Sequence, residues 1–197
     1  KAAYRDRLVA WLPRAAAAGL TSVYDATASA PTEEDAYQIL KALDEEGGLS
    51  LRVFGSVFQS NAPGVIADRF RDYQTRFSSD RSRPEAVKIV ADGVPEGHTA
   101  YLLTPYVDTP DEDFGYPMVS KTDLTEQVTT YFAADIPVHV HAIGGAAVRM
   151  TLDAIADARR ITSNETVRAT IAHMDFVSDE DVPRFAALNV TAQTSIQ

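Results

Sequence analysis

The residues with the chemistry to build a reactive site are few, and they fall near the ends of strand-like runs. In Pro137-Val-His-Val-His-Ala142, His139 and His141 stand two residues apart. A strand therefore carries both imidazoles on one face and gives Val138, Val140 and Ala142 to the other. Arg168-Ala-Thr-Ile-Ala-His173 closes on a third histidine. Imidazoles at strand ends suit metal ligation or proton transfer, and equally a hydrogen-bonded structural role. His139 lies one step deeper than His141, where it would orient its neighbours. Ala86-Val-Lys-Ile-Val-Ala-Asp92 sets Lys88 between β-branched residues, with Val90 and Asp92 on its face. Either this is an edge strand with Lys88 in solvent, or Lys88 is a buried amine put to chemical use. Asp92-Gly93 reads most simply as a turn. His98 sits in the irregular Glu96-Gly-His-Thr99, either in solvent or against a substrate.

The elements that must position these groups alternate. An Ala-rich helix over Tyr4 to Ala18 ends at Gly19, and Thr21 to Asp25 is a short strand. Thr32 caps a helix that carries Glu33, Glu34 and Asp35 in its first turn and stops at Gly47-Gly48. Leu51 to Val57 is a strand and Gly64 to Phe77 a helix. A polar loop with Arg81, Arg83 and Pro84 leads to the strand Ala86 to Val90. Residues 92 to 120 form a loop too long for an ordinary strand–helix connection. Beyond it come helix Lys121 to Ala134, strand Pro137 to Ala142, helix Gly144 to Arg160, strand Arg168 to His173, helix Ser178 to Leu188 and strand Val190 to Thr194. Strand–helix alternation of this kind predicts a parallel α/β sheet with crossover helices. Such sheets place ligands at the carboxyl ends of their strands, where His141 and His173 sit.

Composition narrows the function classes. The 197 residues hold 28 acidic and 18 basic side chains, a net charge of −10, which argues against a nucleic-acid or anionic-membrane binder. Hydrophobic residues make up 45%, and a chain of this length buries roughly 70% of its unfolded surface. No apolar run approaches the roughly 18 residues of a membrane span. With no cysteine, thiolate sites and cysteine nucleophiles are excluded. No P-loop, dinucleotide fingerprint or Gly-x-Ser-x-Gly elbow is present. Localisation is left open, with the cytoplasm favoured.

Four stretches together resemble the amidohydrolase superfamily, and within it amidohydrolase family 3, the group that includes N-substituted formamide deformylase. They are Gly19-Leu-Thr-Ser-Val-Tyr-Asp25, Val87-Lys-Ile-Val-Ala-Asp-Gly93, Val138-His-Val-His-Ala-Ile-Gly144, and Thr170-Ile-Ala-His173 followed by Asp181-Val-Pro-Arg-Phe-Ala186. The resemblance implies a (β/α)8 barrel, of which residues 1–197 would be a single central piece holding the second to seventh strands. It implies Lys88, His141 and His173 as metal ligands, zinc as the expected metal in one or two copies, and a carboxylated lysine at Lys88. His139, Asp92 and His98 would be supporting or substrate-facing groups. The family's first-strand His-x-His and eighth-strand Asp are absent from the sequence. Gly144-Gly145 stands where Gly-Asp is usual, and Ala172 where Glu is usual. No catalytic base is assignable within the chain.

The expectation is therefore a partial barrel of about six parallel strands from a metal-dependent hydrolase of small amides, with this piece inactive alone. Its partners would be a small-molecule amide, with neither nucleic acid nor membrane. Self-association is expected through the edges at Thr21–Asp25 and Val190–Thr194. The rival readings are a non-catalytic α/β binding domain with structural histidines, and a metal-free hydrolase using His98 or His141 as base. The aromatic loop, with Tyr101, Tyr106, Phe114 and Tyr116, suits either an apolar acyl or aryl group or simple packing onto the barrel.

Overall fold

A computed structural model describes residues 1–26, 32–109 and 112–194. Residues 110 and 111 of the long loop lie outside the described residues. Six parallel strands alternate with helices in the order of successive βα units of a (β/α)8 barrel: α1 (Ala2–Ala17), β1 (Ser22–Asp25), α2 (Glu33–Glu45), β2 (Arg52–Phe58), α3 (Pro63–Phe77), β3 (Ser82–Val90), α4 (Lys121–Ala133), β4 (Val138–Ala142), α5 (Gly145–Thr162), β5 (Ala169–His173), α6 (Val182–Ala187) and β6 (Val190–Gln193). The strand order in the sheet is the chain order. The chain divides into two compact units, Lys1–Val87 and Lys88–Gln197, with the boundary inside β3. No helix among the described residues is long and apolar enough to cross a membrane.

In the first unit, β1 pairs with β2 in parallel, Val23 opposite Val53. Leu12 and Ala15 of α1 pack with Ile39, Leu40 and Leu43 of α2 over Leu51 and Val53. Helix α2 starts as its residue types dictate: the Thr32 hydroxyl accepts from the Asp35 N–H at 3.1 Å, and three acids face the positive end of the dipole. Tyr37 is fully buried and donates its hydroxyl hydrogen to the Ser56 carbonyl at 3.1 Å. Gly55 makes room for that ring, since a Cβ there would meet the Tyr37 hydroxyl. Strand β3 begins earlier than the sequence predicts, taking in Arg83 and Pro84. Proline's fixed φ is compatible with extended backbone, so Pro84 does not keep the segment out of the strand.

In the second unit, β4, β5 and β6 pair in parallel, with Val140 opposite Ile171 and Ile171 opposite Ala192. Val138, Val140 and Ala142 are buried, as strand alternation predicts, and β4 contacts α5. Arg159, only 2% exposed, donates to the carbonyls of Leu188, Asn164 and Val167 at 2.8, 2.9 and 3.1 Å and lies over the Phe132 ring. One guanidinium thus joins the end of α5 to the segments entering β5 and β6. Helix α6 is shorter than predicted and starts at Val182, because Pro183 belongs in a first turn. Ahead of it Asp181 accepts from Arg149 and Arg184, each at 2.9 Å.

Candidate metal-binding site at the strand ends

All the groups singled out at the strand ends lie in the second unit. His141 Nε2 is 3.0 Å from the Gly93 carbonyl. A carbonyl only accepts, so Nε2 carries the proton and Nδ1 keeps the lone pair that a metal needs. His139 is buried, with Nε2 2.8 Å from Gln193 Oε1 and Nδ1 3.2 Å from Lys88 Nζ. The same logic protonates Nε2 of His139 and makes Nδ1 the acceptor of a Lys88 hydrogen bond. The deeper histidine therefore holds the lysine, while the outer one bonds the Gly93 carbonyl through Nε2.

His173 reaches the site by an irregular route. In the β4–β5 register His173 lies opposite Ala142, and His141 opposite Ala172. Aligned residues of parallel strands share a face, so regular alternation would send His173 away from His141. Yet the two imidazole centroids are 4.5 Å apart. The reason is backbone: His173 has φ 79° and Met174 φ 56°, both left-handed and neither glycine. Rotation about N–Cα of His173 carries its Cβ to the other side of the strand. Such conformations cost about 1–3 kcal/mol each and persist where surroundings enforce them. Here Met174 N–H donates to the Ala142 carbonyl at 3.0 Å and Phe176 N–H to the Ile143 carbonyl at 3.1 Å.

Lys88 is 5% exposed, so the solvent-edge alternative does not hold. Burial pulls its amine down to about 8. Among the described residues no carboxylate bonds it; its partner is the neutral His139 ring. Asp92 is fully buried and is more than a turn residue. Its oxygens accept from the N–H groups of Ile143, Gly144 and Tyr101 at 2.9, 2.8 and 2.9 Å. Burial raises its pKa, and the three N–H bonds work against that rise. His141 Nε2 lies 3.7 Å from it. Asp92 thus ties the end of β3 to the β4–α5 turn and to the long loop. From that loop the Tyr101 carbonyl accepts from Ala146 and Ala147 at 3.0 and 3.3 Å, capping α5 where Gly144 has no side chain to do so. A Cβ on Gly144 would collide with that carbonyl. His98, with a left-handed φ of 52°, pairs through Nε2 with Asp108 at 3.1 Å and stacks at 4.5 Å on Tyr106.

A metal-free Lys88→Met protein is expected to be more stable than the parent at pH 7. The amine's folded pKa, about 8, lies below its ordinary 10.5, so at pH 7 the buried ammonium carries its whole burial cost. That cost is on the order of 3 kcal/mol, against about 1–2 kcal/mol for leaving His139 Nδ1 without a donor. The net gain is about 1–2 kcal/mol, and it shrinks as pH rises from about 8 toward 10.5, where the folded amine is already neutral. Urea unfolding at pH 7 and pH 10 measures it; a less stable variant at pH 7 refutes the burial cost.

Among the described residues, no three His, Cys, Asp or Glu side chains form a ready-made metal cage. A centre here needs the lysine as well as the imidazoles. Sequence reasoning missed Gln193 and the Tyr101 backbone. A glutamine ending a strand beside two histidine-bearing strands was the available signal for the first; the second carries none, since a main-chain contact leaves no mark on residue type.

Comparison with known proteins follows the same lines. The model of the amidohydrolase family matches residues 1–197. An uncharacterized metal-dependent hydrolase from Pyrococcus furiosus superposes with a TM-score of 0.78 at 26% identity, over 97% of this chain and 37% of that one. One from Pyrococcus horikoshii OT3 gives 0.76 at 26% identity, over 97% and 36%. The exoenzymes regulatory protein AepA of Pectobacterium carotovorum subsp. carotovorum is 32% identical over 110 residues, 55% of this chain and 23% of that protein. The matched part of this chain thus covers 37%, 36% and 23% of the length of these relatives. With the βα order, the strand-end histidines and a family match running from the first residue to the last, the chain belongs to the amidohydrolase family.

Proposed function

We propose that these strand ends serve a metal-dependent hydrolase that breaks the C–N bond of a small amide. The observation that carries this reading is the His141–His173 pair, 4.5 Å between rings, with His141 Nδ1 free of partners among the described residues. The donor chemistry fits a divalent ion: two imidazoles, with Lys88 able to become an oxygen donor. A lysine held down to about 8 has a usable fraction of free amine at neutral pH. Its lone pair attacks carbon dioxide, a proton leaves, and a carbamate oxygen replaces ammonium. Nitrogen and oxygen donors of this kind suit zinc. What a divalent ion supplies when bound is Lewis acidity, making a water more acidic and polarising the carbonyl under attack. The chain's own residues do the rest: Gly93 fixes the His141 tautomer, Asp92 fixes the turn behind it, and His139 holds Lys88. Three donors complete at most about one ion's protein shell and leave the proton-transfer group unassigned. Residues 1–197 alone should therefore turn over little.

Zinc content and zinc affinity of the purified protein, its His141→Ala and His173→Ala variants, and a His98→Ala control test this reading. Removing groups that merely orient a ligand costs about 10–100-fold in affinity, so removing a ligand should exceed that. The control should bind as the parent does. A parent that takes up no zinc, or ligand variants that bind it equally well, would assign the histidines a structural role.

A further inference from the structure

Between the loops that follow the histidine-bearing strands is a cavity of about 760 Å³. One wall is the long loop, from Leu102 to Asp108; the other is the segment after β5, from Asp175 to Ser178; Gly145 at the start of α5 lies between. A Cβ on Gly145 would sit 3.0 Å from the Phe176 carbonyl and 3.2 Å from the Leu103 side chain, so the glycine lets the two walls approach. The second wall begins two residues beyond His173 and is pinned to the end of β4 by the Phe176-to-Ile143 bond. Occupants of the cavity therefore lie against the loops that follow the two imidazoles.

Leu103, Val107 and Phe176 are 40%, 102% and 45% exposed, and all three line this cavity. Large apolar side chains left open on a single concavity mark a binding site, and a volume within about 300–1,000 Å³ suits a small molecule. The charges decide what kind. Asp108 and Asp175 line the cavity, and among the described residues no lysine or arginine does. The nearby Arg149 reaches Ser178 at 3.4 Å, but Asp181 at 2.9 Å and Glu180 at 3.0 Å already engage its guanidinium. A bound carboxylate would meet two acids and no free cation. A polar handle with capacity left is His98, whose Nε2 is taken by Asp108 while Nδ1 has no partner among the described residues.

We infer that this cavity receives the uncharged apolar part of the amide substrate, an aryl or branched alkyl group, and discriminates against substrates carrying a carboxylate there. The inference rests on reading the strand ends as a hydrolase site, and it is tested without turnover or metal. The probes are 4-acetamidobiphenyl and the same compound bearing a carboxylate at the far 4′ position, titrated calorimetrically into purified, chelator-treated protein. The neutral probe should bind at least about tenfold more tightly than the acid, since like charges facing each other suppress binding. Leu103→Asp should weaken the neutral probe by about tenfold or more, by putting a charge in the apolar wall. Asp108→Lys, on an exposed side chain, should tighten the acid by about tenfold, a gain that misfolding cannot imitate. Equal affinities, no binding of the neutral probe, or an unchanged ratio in Asp108→Lys would overturn the inference. Discrimination in a protein that takes up no zinc would support the ligand class while sinking the hydrolase reading. Zinc uptake without discrimination would sink the ligand class alone.

Discussion

Replacing Asp92 by alanine is expected to lower the unfolding free energy by about 3–6 kcal/mol, enough to unfold a marginal domain. The carboxylate is fully buried and accepts from three backbone N–H groups, those of Ile143, Gly144 and Tyr101. Alanine leaves all three donors in a buried site, and each unpaired donor costs about 1–3 kcal/mol. Water admitted to the space offsets part of this, which is why the range stops short of the full sum. Asp92→Asn keeps the shape and one oxygen. Placed toward Gly144 and Tyr101, that oxygen keeps two bonds and turns the amide N–H₂ against the Ile143 N–H. Its loss should fall near half that of alanine. Urea unfolding of the three proteins gives the comparison; a loss under about 1 kcal/mol for Asp92→Ala would mean that solvent satisfies these amides.

The second large effect is acid lability from His139. Burial, with the Lys88 charge as second cause, pulls its imidazole down to about 4 from an ordinary 6.5. Above pH 6.5 both folded and unfolded chains hold the ring neutral, and it imposes no cost. As pH falls, the unfolded chain takes up a proton that the folded chain refuses, so stability drops until the folded ring titrates near 4. The loss over that window is about 3 kcal/mol, at no more than about 1.4 kcal/mol per pH unit. His173 is shifted the same way by burial and by the His141 charge, so the parent's total exceeds this. His139→Gln isolates the term. It removes the titrating group, and the difference in unfolding free energy between parent and variant should change by about 3 kcal/mol between pH 7 and pH 4. Parallel curves for the two proteins would show that the ring is not buried neutral.

The sequence displays the fold because alternation is a local property. The spacing of Val138, Val140 and Ala142 against His139 and His141 is a face assignment that needs no tertiary information; the three apolar residues are buried, and so is His139 on the other face. Thr32 with three acids behind it fixes a helix start in the same way. The site was legible in part. The residue types at 88, 141 and 173 suggest metal chemistry, but who holds whom is decided by rotamers and register. Nothing in the composition says that Lys88 bonds His139, or that Gln193 closes the chain of contacts from β6. Asp92 is the sharpest case. Asp-Gly after a strand reads as a turn, and only the convergence of three main-chain amides distant in sequence makes it a hub. Pro183 inside a helical pattern was a signal that could have shortened α6 from the start.

The left-handed pair at His173 and Met174 has a consequence for how this family can change over generations. In a regular strand, inserting or deleting one residue inverts every side chain beyond it, so a ligand's position is locked to odd or even spacing. A strand that ends in a left-handed residue breaks that lock. Its final imidazole comes beside His141 although its register partner, Ala142, does not share that histidine's face. Lineages can then drift by one residue at this strand end while conserving the histidine's destination. Aligning such sequences by strand parity alone would assign the histidine to the wrong column.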